Sequence, residues 1–169
     1  MKKLSILLMI IGLIGINSCQ EKQVQKQYFQ QSPEIEEAKK LVDSYVNQDW
    51  EAFRSCYSDT ARIWKNVWFT SEPGTSVDES VAELKEFLPH IADYSYEETL
   101  WEMIVNNEGQ KWVHFWGKWV GKLTDDGDEI EIPVHIAYGF IGDKIVYESG
   151  FWDNLPIYLA QQALETEVE

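Results

Sequence analysis

Basic residues are scarce in this chain of 169 residues: 14 Lys and Arg stand against 29 Asp and Glu, which gives a formal net charge of −15. Such a surface repels phosphates rather than neutralising them, so the sequence predicts no nucleic-acid partner. Electrostatic docking onto anionic lipid is disfavoured for the same reason. The apolar fraction of 44% is too high for a disordered acidic tail, and the length suits one domain.

Histidine and cysteine are also rare. No pair among His90, His114 and His135 has metal-ligand spacing and no cysteine joins them, so we expect no zinc site and no cofactor. The two cysteines, Cys19 and Cys56, do not form a disulfide framework, because Cys19 has another predicted role. Cys56 is interpreted as a small buried apolar residue, with a catalytic thiol as the alternative.

No apolar run reaches the ~20 residues that a membrane-spanning helix needs. The longest run, from Leu4 to Ile16, follows the basic pair Lys2 and Lys3. A charged start and a short apolar run are typical of a secretory signal. The sequence Ile16-Asn17-Ser18-Cys19 resembles a bacterial lipobox, which implies cleavage before Cys19 and lipidation of that cysteine. An ordinary signal peptide and an uncleaved anchor are the alternatives.

This interpretation divides the chain into a signal peptide (1–18), a lipidated cysteine with a flexible polar tether (19–32) and one domain (33–169). It places the protein in the cell envelope, attached to a membrane through acyl groups only. Gln20 stands where an Asp would favour inner-membrane retention. We therefore expect an outer-membrane location, facing the periplasm or the exterior.

Helical patterns occupy the first part of the domain. Ser32 followed by Pro33 has the chemistry of a helix start, and apolar residues recur at helical spacing from Ile35 to Val46. Ser76 with Glu79 predicts a capping box at the start of a further helix. A short amphipathic helix is predicted near the end of the chain, at roughly 155–164.

Strand patterns follow the helices. Residues 61–70 are β-branched and aromatic, which predicts one short strand. Four longer candidates follow at 95–106, 110–123, 129–141 and 144–152. Segments rich in Gly, Asn and Asp separate them, as tight antiparallel turns require. Helices followed by a curved antiparallel meander predict an α+β domain.

Three local motifs accompany this order of elements. They are Val42-Asp43-Ser44-Tyr45 leading to 49–53 and 56–59, the stretch from His135 through 140–145 to Phe151-Trp152-Asp153, and Leu159 to Gln162. Together they resemble the SnoaL-like proteins of the nuclear transport factor 2-like (NTF2-like) superfamily over roughly residues 33–163. The resemblance implies a cone-shaped curved sheet wrapped on N-terminal helices around a pocket.

The resemblance also implies candidate site residues, because some relatives use an Asp in such a pocket as an acid or base. Asp153 is the candidate catalyst and His135 the candidate orienting group. The candidate ligand-binding residues are Tyr45, Trp64, Trp68, Phe115, Trp119 and Tyr138. A helix cap is the alternative role for Asp153, and a structural hydrogen bond is the alternative for His135.

One departure from the superfamily limits the chemistry that can be carried over. In ketosteroid isomerases the general base follows soon after a Tyr-x-Asp helix end, and Tyr57-Ser58-Asp59 is the matching stretch here. The position of the base then falls on or next to Lys65, where there is no carboxylate. This difference argues against steroid-isomerase chemistry.

The segment 112–122 holds an unusual concentration of tryptophan. Period two places Val113, Phe115, Gly117, Trp119 and Gly121 on one face and Trp112, His114, Trp116, Lys118 and Lys122 on the other. The first face is expected to line the core. The second suits an interface, and because superfamily members often dimerise through the outer sheet face, Trp112 and Trp116 are candidate dimer contacts. Ordinary exposed-sheet packing and a carbohydrate platform are the alternatives.

Two functions follow from these observations. The first is an exported, lipid-anchored domain that binds a small hydrophobic molecule in a conical pocket. Whether it also transforms that molecule is open; an enzyme here would carry out acid/base isomerase, cyclase or hydrolase-type chemistry without metal. The second is a non-catalytic, homodimeric interaction module of the cell envelope.

Overall fold

The computed structural model describes residues 27–69, 71–125 and 127–167, and its strands form one six-stranded sheet. The strands are β1 (Tyr28–Phe29), β2 (Tyr57–Lys65), β3 (Asp93–Val105), β4 (Lys111–Lys122), β5 (Ile130–Ile141) and β6 (Lys144–Trp152). The helices are α1 (Pro33–Val46), α2 (Trp50–Ser55), α3 (Val77–Phe87), the 3-10 turn Leu88–His90 and α4 (Leu155–Glu167). The α+β class predicted from the sequence is confirmed.

The sheet runs in the order β1-β3-β4-β5-β6-β2. Strands β3 to β6 form the predicted antiparallel meander, and β1 adds an antiparallel edge next to β3. Strand β2 lies at the other edge and runs parallel to β6. The helices α1 and α3 pack across one face of this sheet, so the core and the cavity lie between the helices and that face.

The helix starts form as the sequence predicts. The Ser32 hydroxyl accepts a hydrogen bond from the Ile35 N–H at 3.1 Å, with Pro33 in the first turn. Ser76 and Glu79 make a reciprocal capping box at the start of α3. Such caps satisfy N–H groups that have no partner within the helix, and they fix where each helix begins.

Alternation along the strands gives the sheet an inner face toward the helices and an outer face away from them. The inner face carries buried side chains, among them Val113, Phe115, Trp119, Ile132, Ile136 and Tyr138. The outer face carries Trp112, His114 and Trp116 of β4, as predicted, and His135 of β5. The inner face therefore builds the core, while the outer face meets solvent.

Two segments differ from those predicted. Strand β2 begins at Tyr57 rather than at residue 61, because Tyr57 already pairs with Ile145 of β6. Within the segment expected to be a flexible tether, Tyr28 and Phe29 pair with β3. Two-residue edge strands lack the alternation by which longer strands are recognised in a sequence.

The predicted signal peptide, the predicted lipidation site Cys19 and the first part of the tether lie outside the described residues. Among the helices that the structure does describe, none is both long enough and apolar enough to cross a bilayer.

Candidate functional site

A cavity of about 440 Å³ lies between the inner face of the sheet and helices α1, α3 and α4. Its wall is mostly aromatic and aliphatic and includes Leu41, Tyr45, Phe53, Leu84, Phe87, Tyr96, Trp119, Ile132, Ile136, Tyr138, Trp152 and Tyr158. A volume in this range suits a small organic molecule. The inward-facing aromatic residues therefore leave an open pocket rather than filling the cone.

The carboxyl group of Glu148 is the central ionisable group of this cavity. Glu148 lies on β6 directly opposite Tyr138 of β5, and both side chains line the cavity. The Tyr57 hydroxyl, at the start of β2, donates a hydrogen bond to Glu148 Oε2. Burial raises the pKa of Glu148, while the Tyr57 hydrogen bond and the charge of Lys65 oppose that rise. Glu148 is thus suited to exchange a proton at a pH closer to neutral than an exposed carboxyl.

Tyrosine hydroxyls surround this carboxyl. Burial and the charge of Glu148 raise the pKa of Tyr57 and of Tyr138, and burial with the neighbouring charges of Tyr45 and Glu148 raises that of Tyr96. These hydroxyls therefore stay protonated and act as donors. Tyr96 and Tyr138 line the cavity together with Glu148, so their hydroxyls are the donors available to a molecule bound there.

An ion pair lies at the rim of the cavity. The Nζ atom of Lys65, at the end of β2, lies 2.7 Å from a carboxylate oxygen of Glu83 on α3. Both residues line the cavity, and the side chain of Glu83 is 54% exposed. An exposed pair of this kind is weak, so Lys65 mainly contributes positive potential near Glu148.

This arrangement can perform proton transfer on a bound molecule. The carboxyl of Glu148 supplies an acid or a base, and the two tyrosine hydroxyls supply donors for an oxygen that gains negative charge. Among the described residues, no group of three or more potential metal ligands comes together. The cavity therefore presents the carboxyl of Glu148, several phenols and a mostly apolar wall, with the Lys65–Glu83 pair at its rim.

The structure brings three of the six predicted ligand-binding residues to the cavity: Tyr45, Trp119 and Tyr138 line it. The other three lie elsewhere. Phe115 is fully buried behind the wall, with its ring centroid 4.5 Å from that of Trp101. The buried Trp64 donates from Nε1 to the Glu72 carbonyl at 2.9 Å, and Trp68 is 60% exposed in the following loop.

Neither of the two predicted catalytic side chains lines the cavity. Asp153 is exposed, and its Oδ1 accepts a hydrogen bond from the Leu155 N–H at 2.9 Å at the start of α4. His135 lies on the outer face between the inward-facing Val134 and Ile136. Asp153 therefore occupies a helix-cap position, and His135 makes a hydrogen bond with His114. These are the alternative roles predicted for the two residues.

Glu148 was not among the predicted site residues, although the sequence contains a signal for it. Counting back from Trp152 by twos gives Gly150 and then Glu148, so a lone acid shares a face with a cavity-lining aromatic. A break in register between Gly139 and Phe140 of β5 shifts the alternation of β6 before Tyr147. Because of this bulge, counting forward from Ile145 gives the wrong face.

Cys56 does not belong to the site. Its side chain is fully buried and its Sγ donates to the Ala52 carbonyl at 3.4 Å. Burial, together with the charge of Glu37, raises the thiol pKa to about 11. This environment disfavours the reactive thiolate, in agreement with the prediction of a structural cysteine.

No model of a known protein family matches the sequence, and no curated protein matches it. Solved structures do. IdmH from Streptomyces antibioticus, a candidate polyketide cyclase, has a TM-score of 0.60 at 11% identity, over 78% of this chain and 99% of that one. A candidate SnoaL-like polyketide cyclase from Shewanella putrefaciens has a TM-score of 0.57 at 12% identity, over 79% of this chain and 98% of that one.

An NTF2-like protein of unknown function from Burkholderia pseudomallei has a TM-score of 0.56 at 14% identity, over 75% of this chain and 95% of that one. At these identities the similarity concerns the fold, and function must be argued from the site. The helices, the sheet order and these structural neighbours together show that the chain has the cone-shaped NTF2-like fold.

Proposed function

We propose that this protein binds a small, mostly apolar molecule in the cavity and that Glu148 exchanges a proton with it. The observation that carries the proposal is the carboxyl of Glu148 in a mostly apolar cavity, where the Tyr57 hydroxyl holds it and burial raises its pKa. Apolar walls with a few converging polar groups are typical of ligand sites, and perturbed carboxyls are typical of catalytic ones. Candidate polyketide cyclases among the structural neighbours support the same assignment.

The reaction class that fits these groups is acid/base isomerisation or cyclisation. A carbonyl oxygen of the ligand would accept hydrogen bonds from Tyr96 and Tyr138. The carboxylate of Glu148 would take a proton from the adjacent carbon and return it to another atom of the same molecule. The tyrosine donors stabilise the enolate formed between these steps, and the apolar wall keeps water out.

Binding can be tested with a neutral naphthalene fluorophore, whose emission rises in an apolar site. We expect saturable binding to the full chain, and its loss in Leu84→Trp, which places a large side chain into the cavity from α3. The control is Trp116→Ala on the outer face, where the side chain is 45% exposed. Equal binding in Leu84→Trp and wild type would contradict the assignment of the ligand to this cavity.

Proton transfer can be tested without knowing the natural substrate. Hydrogen–deuterium exchange at the carbon next to the carbonyl of 2-tetralone, followed by NMR in D₂O, measures enolisation. We expect the protein to accelerate exchange and Glu148→Gln to slow the accelerated rate by roughly 10²–10⁴-fold. Asp153→Asn is the matched control and should exchange at the wild-type rate. Unchanged acceleration in Glu148→Gln would remove Glu148 from the reaction while leaving the binding result standing.

A second candidate function is self-association through the outer sheet face. The specific observation is the set of large apolar side chains exposed there, namely Leu100, Ile104, Trp116, Tyr147 and Phe151. Replacing Trp112 and Trp116 together by Gln tests it. Loss of association with intact fluorophore binding would support an interaction module, and the opposite result would support the cavity as the functional site.

The chain is further proposed to be exported and held to a membrane by acyl groups on Cys19. The support is the basic start, the short apolar run and the lipobox-like sequence before Cys19. Mass spectrometry of the N-terminal peptide should show an acylated Cys19, and Cys19→Ala should abolish both the modification and membrane retention. An uncleaved N-terminus without acyl groups would overturn this proposal.

A further inference from the structure

Two histidines form a hydrogen-bonded pair at the centre of the outer face. His114 of β4 and His135 of β5 lie on adjacent strands, with Nδ1 of His114 3.0 Å from Nε2 of His135. A hydrogen bond between two imidazole nitrogens needs one donor and one acceptor. The pair is therefore compatible with two neutral rings or with a single shared charge, but not with two imidazolium ions.

The pair is built into an aromatic surface. Trp116 stacks on His135 with ring centroids 4.0 Å apart, and its Nε1 donates to Glu102 of β3 at 3.3 Å. Phe151 of β6 lies opposite His135 on its other side. Breaking the histidine pair would consequently disturb the packing of Trp116, which is among the most exposed apolar groups of the face.

Few charged groups face this pair. Glu102 lies opposite His114 across β3 and β4, and its charge favours protonation of both rings. Farther along β4, Lys118 pairs with three carboxylates, Glu97 and Glu98 at one side and Glu131 at the other, so this group keeps an excess of negative charge away from the pair. Strand β6 presents Ser149 and Phe151, which carry no charge.

Burial lowers the pKa of His114, and burial together with the neighbouring His114 lowers that of His135, in spite of Glu102. The pKa of each imidazole is lower in the folded chain than in a free histidine side chain. Protonation of such a group therefore opposes its packing in the folded chain. Its contribution to packing is therefore complete above its ordinary pKa near 6.5 and is lost as the pH falls below that value.

A second copy of the chain is the occupant that best fits this face. Two chains with a net charge of −15 repel each other over most of their surfaces. The centre of the outer face presents neutral rings and aliphatic groups beside one carboxylate, Glu102, so contact there brings few like charges together. Strands β3 to β6, spaced about 4.8 Å apart, span on the order of 500 Å² on this face, which makes a smaller contact than the ~800 Å² per partner of a standard interface.

We propose that the His114–His135 pair makes self-association through the outer face sensitive to pH, so that two copies associate at neutral pH and separate in acid. In acid the second proton breaks the imidazole–imidazole hydrogen bond and places two like charges at the centre of the contact. The proposal rests on the second candidate function above, because it concerns regulation of that same surface.

The test compares the association of the full chain at pH 7.5 and pH 5.0 by analytical ultracentrifugation. We expect the wild-type dissociation constant to rise at least tenfold at pH 5.0. In His135→Gln the amide can still hydrogen-bond to His114 but cannot be protonated, so the rise should shrink to less than threefold. His90→Gln, an exposed histidine of the 3-10 turn, is the control and should behave as wild type.

The outcomes separate the two proposals. A monomer at both pH values would overturn self-association and, with it, the regulation proposed here. A dimer of equal affinity at both pH values would overturn the pH response alone, as would an unchanged pH response in His135→Gln. Histidine NMR titration provides the second readout: protonation of His114 and His135 should coincide with the loss of association.

Discussion

The inner and outer faces of one sheet use the same strands for opposite purposes. On β4, Phe115 is fully buried while the next residue, Trp116, is 45% exposed. The inner face keeps one carboxyl, Glu148, among phenols and apolar groups. The outer face keeps two neutral imidazoles among exposed aromatic rings. Period-two alternation thus places the carboxyl of Glu148 on the enclosed face and the histidine pair on the solvent-facing side of the same sheet.

The largest expected contrast between the faces concerns stability. Phe115→Ala removes a fully buried ring that contacts Tyr96 and Trp101, so it should lower the free energy of unfolding by about 3–5 kcal/mol. Trp116→Ala removes a half-exposed ring and should cost about 1 kcal/mol or less. Urea unfolding of both variants measures the difference. Equal losses would mean that the outer face is packed like a core.

A smaller effect is expected at Glu148, and it depends on pH. Because burial raises its pKa, the folded state holds the proton more tightly than the unfolded state, and this contribution to stability is lost as the pH rises through the raised pKa. Glu148→Gln removes that loss, so the difference in unfolding free energy between the variant and the wild type should shift in favour of the variant from pH 5 to pH 8. Urea unfolding at both pH values tests the sign. A variant that loses stability as the pH rises, just as the wild type does, would contradict it.

Lys65 acts on the Glu148 carboxyl of the inner face through its positive charge. Its charge lowers the pKa of Glu148, so Lys65→Met should raise that pKa further. The pH at which tetralone exchange reaches half its maximum should then move upward, while Lys65→Arg keeps the wild-type profile. Loss of the rim ion pair with Glu83 should cost at most about 1 kcal/mol of stability. A lower rate with an unchanged pH profile would show that Lys65 acts only by contact.

The smallest effect is expected at Asp153, outside both faces. Asp153→Ala removes the acceptor for the Leu155 N–H and should cost about 0.5–1 kcal/mol, whereas Asp153→Asn should cost less because its side-chain oxygen can still accept. Neither change should alter tetralone exchange. A loss of exchange in Asp153→Asn would return this residue to the list of catalytic candidates.

The fold could be predicted in large part because its signals are local. Caps at Ser32 and Ser76, turns rich in Gly and Asn, and period-two strands each depend on residues close in sequence. The parallel edge strand could not be placed in this way. The pairing of β2 with β6 joins residues about ninety positions apart, and neither segment by itself shows the direction of its partner.

The site was harder to predict because it depends on which face each side chain occupies. Tyr45, Trp119 and Tyr138 were expected at the pocket and line it. His135 was expected there too, although its neighbours Val134 and Ile136 already mark the opposite face as the inner one. Resemblance to a family suggested a residue type near the strand end, whereas alternation from Trp152 back to Glu148 would have identified the position.

The sequence by itself determined the acidic charge, the α+β order of elements, the helix caps and the two faces of β4, since these follow from composition and short-range periodicity. Tertiary structure alone decided which carboxyl faces the cavity. The bulge in β6 sets the direction of Glu148, and the distant strand β2 supplies the Tyr57 hydroxyl that holds it. A buried charge needs partners from several strands, and the chain brings those partners together only by folding.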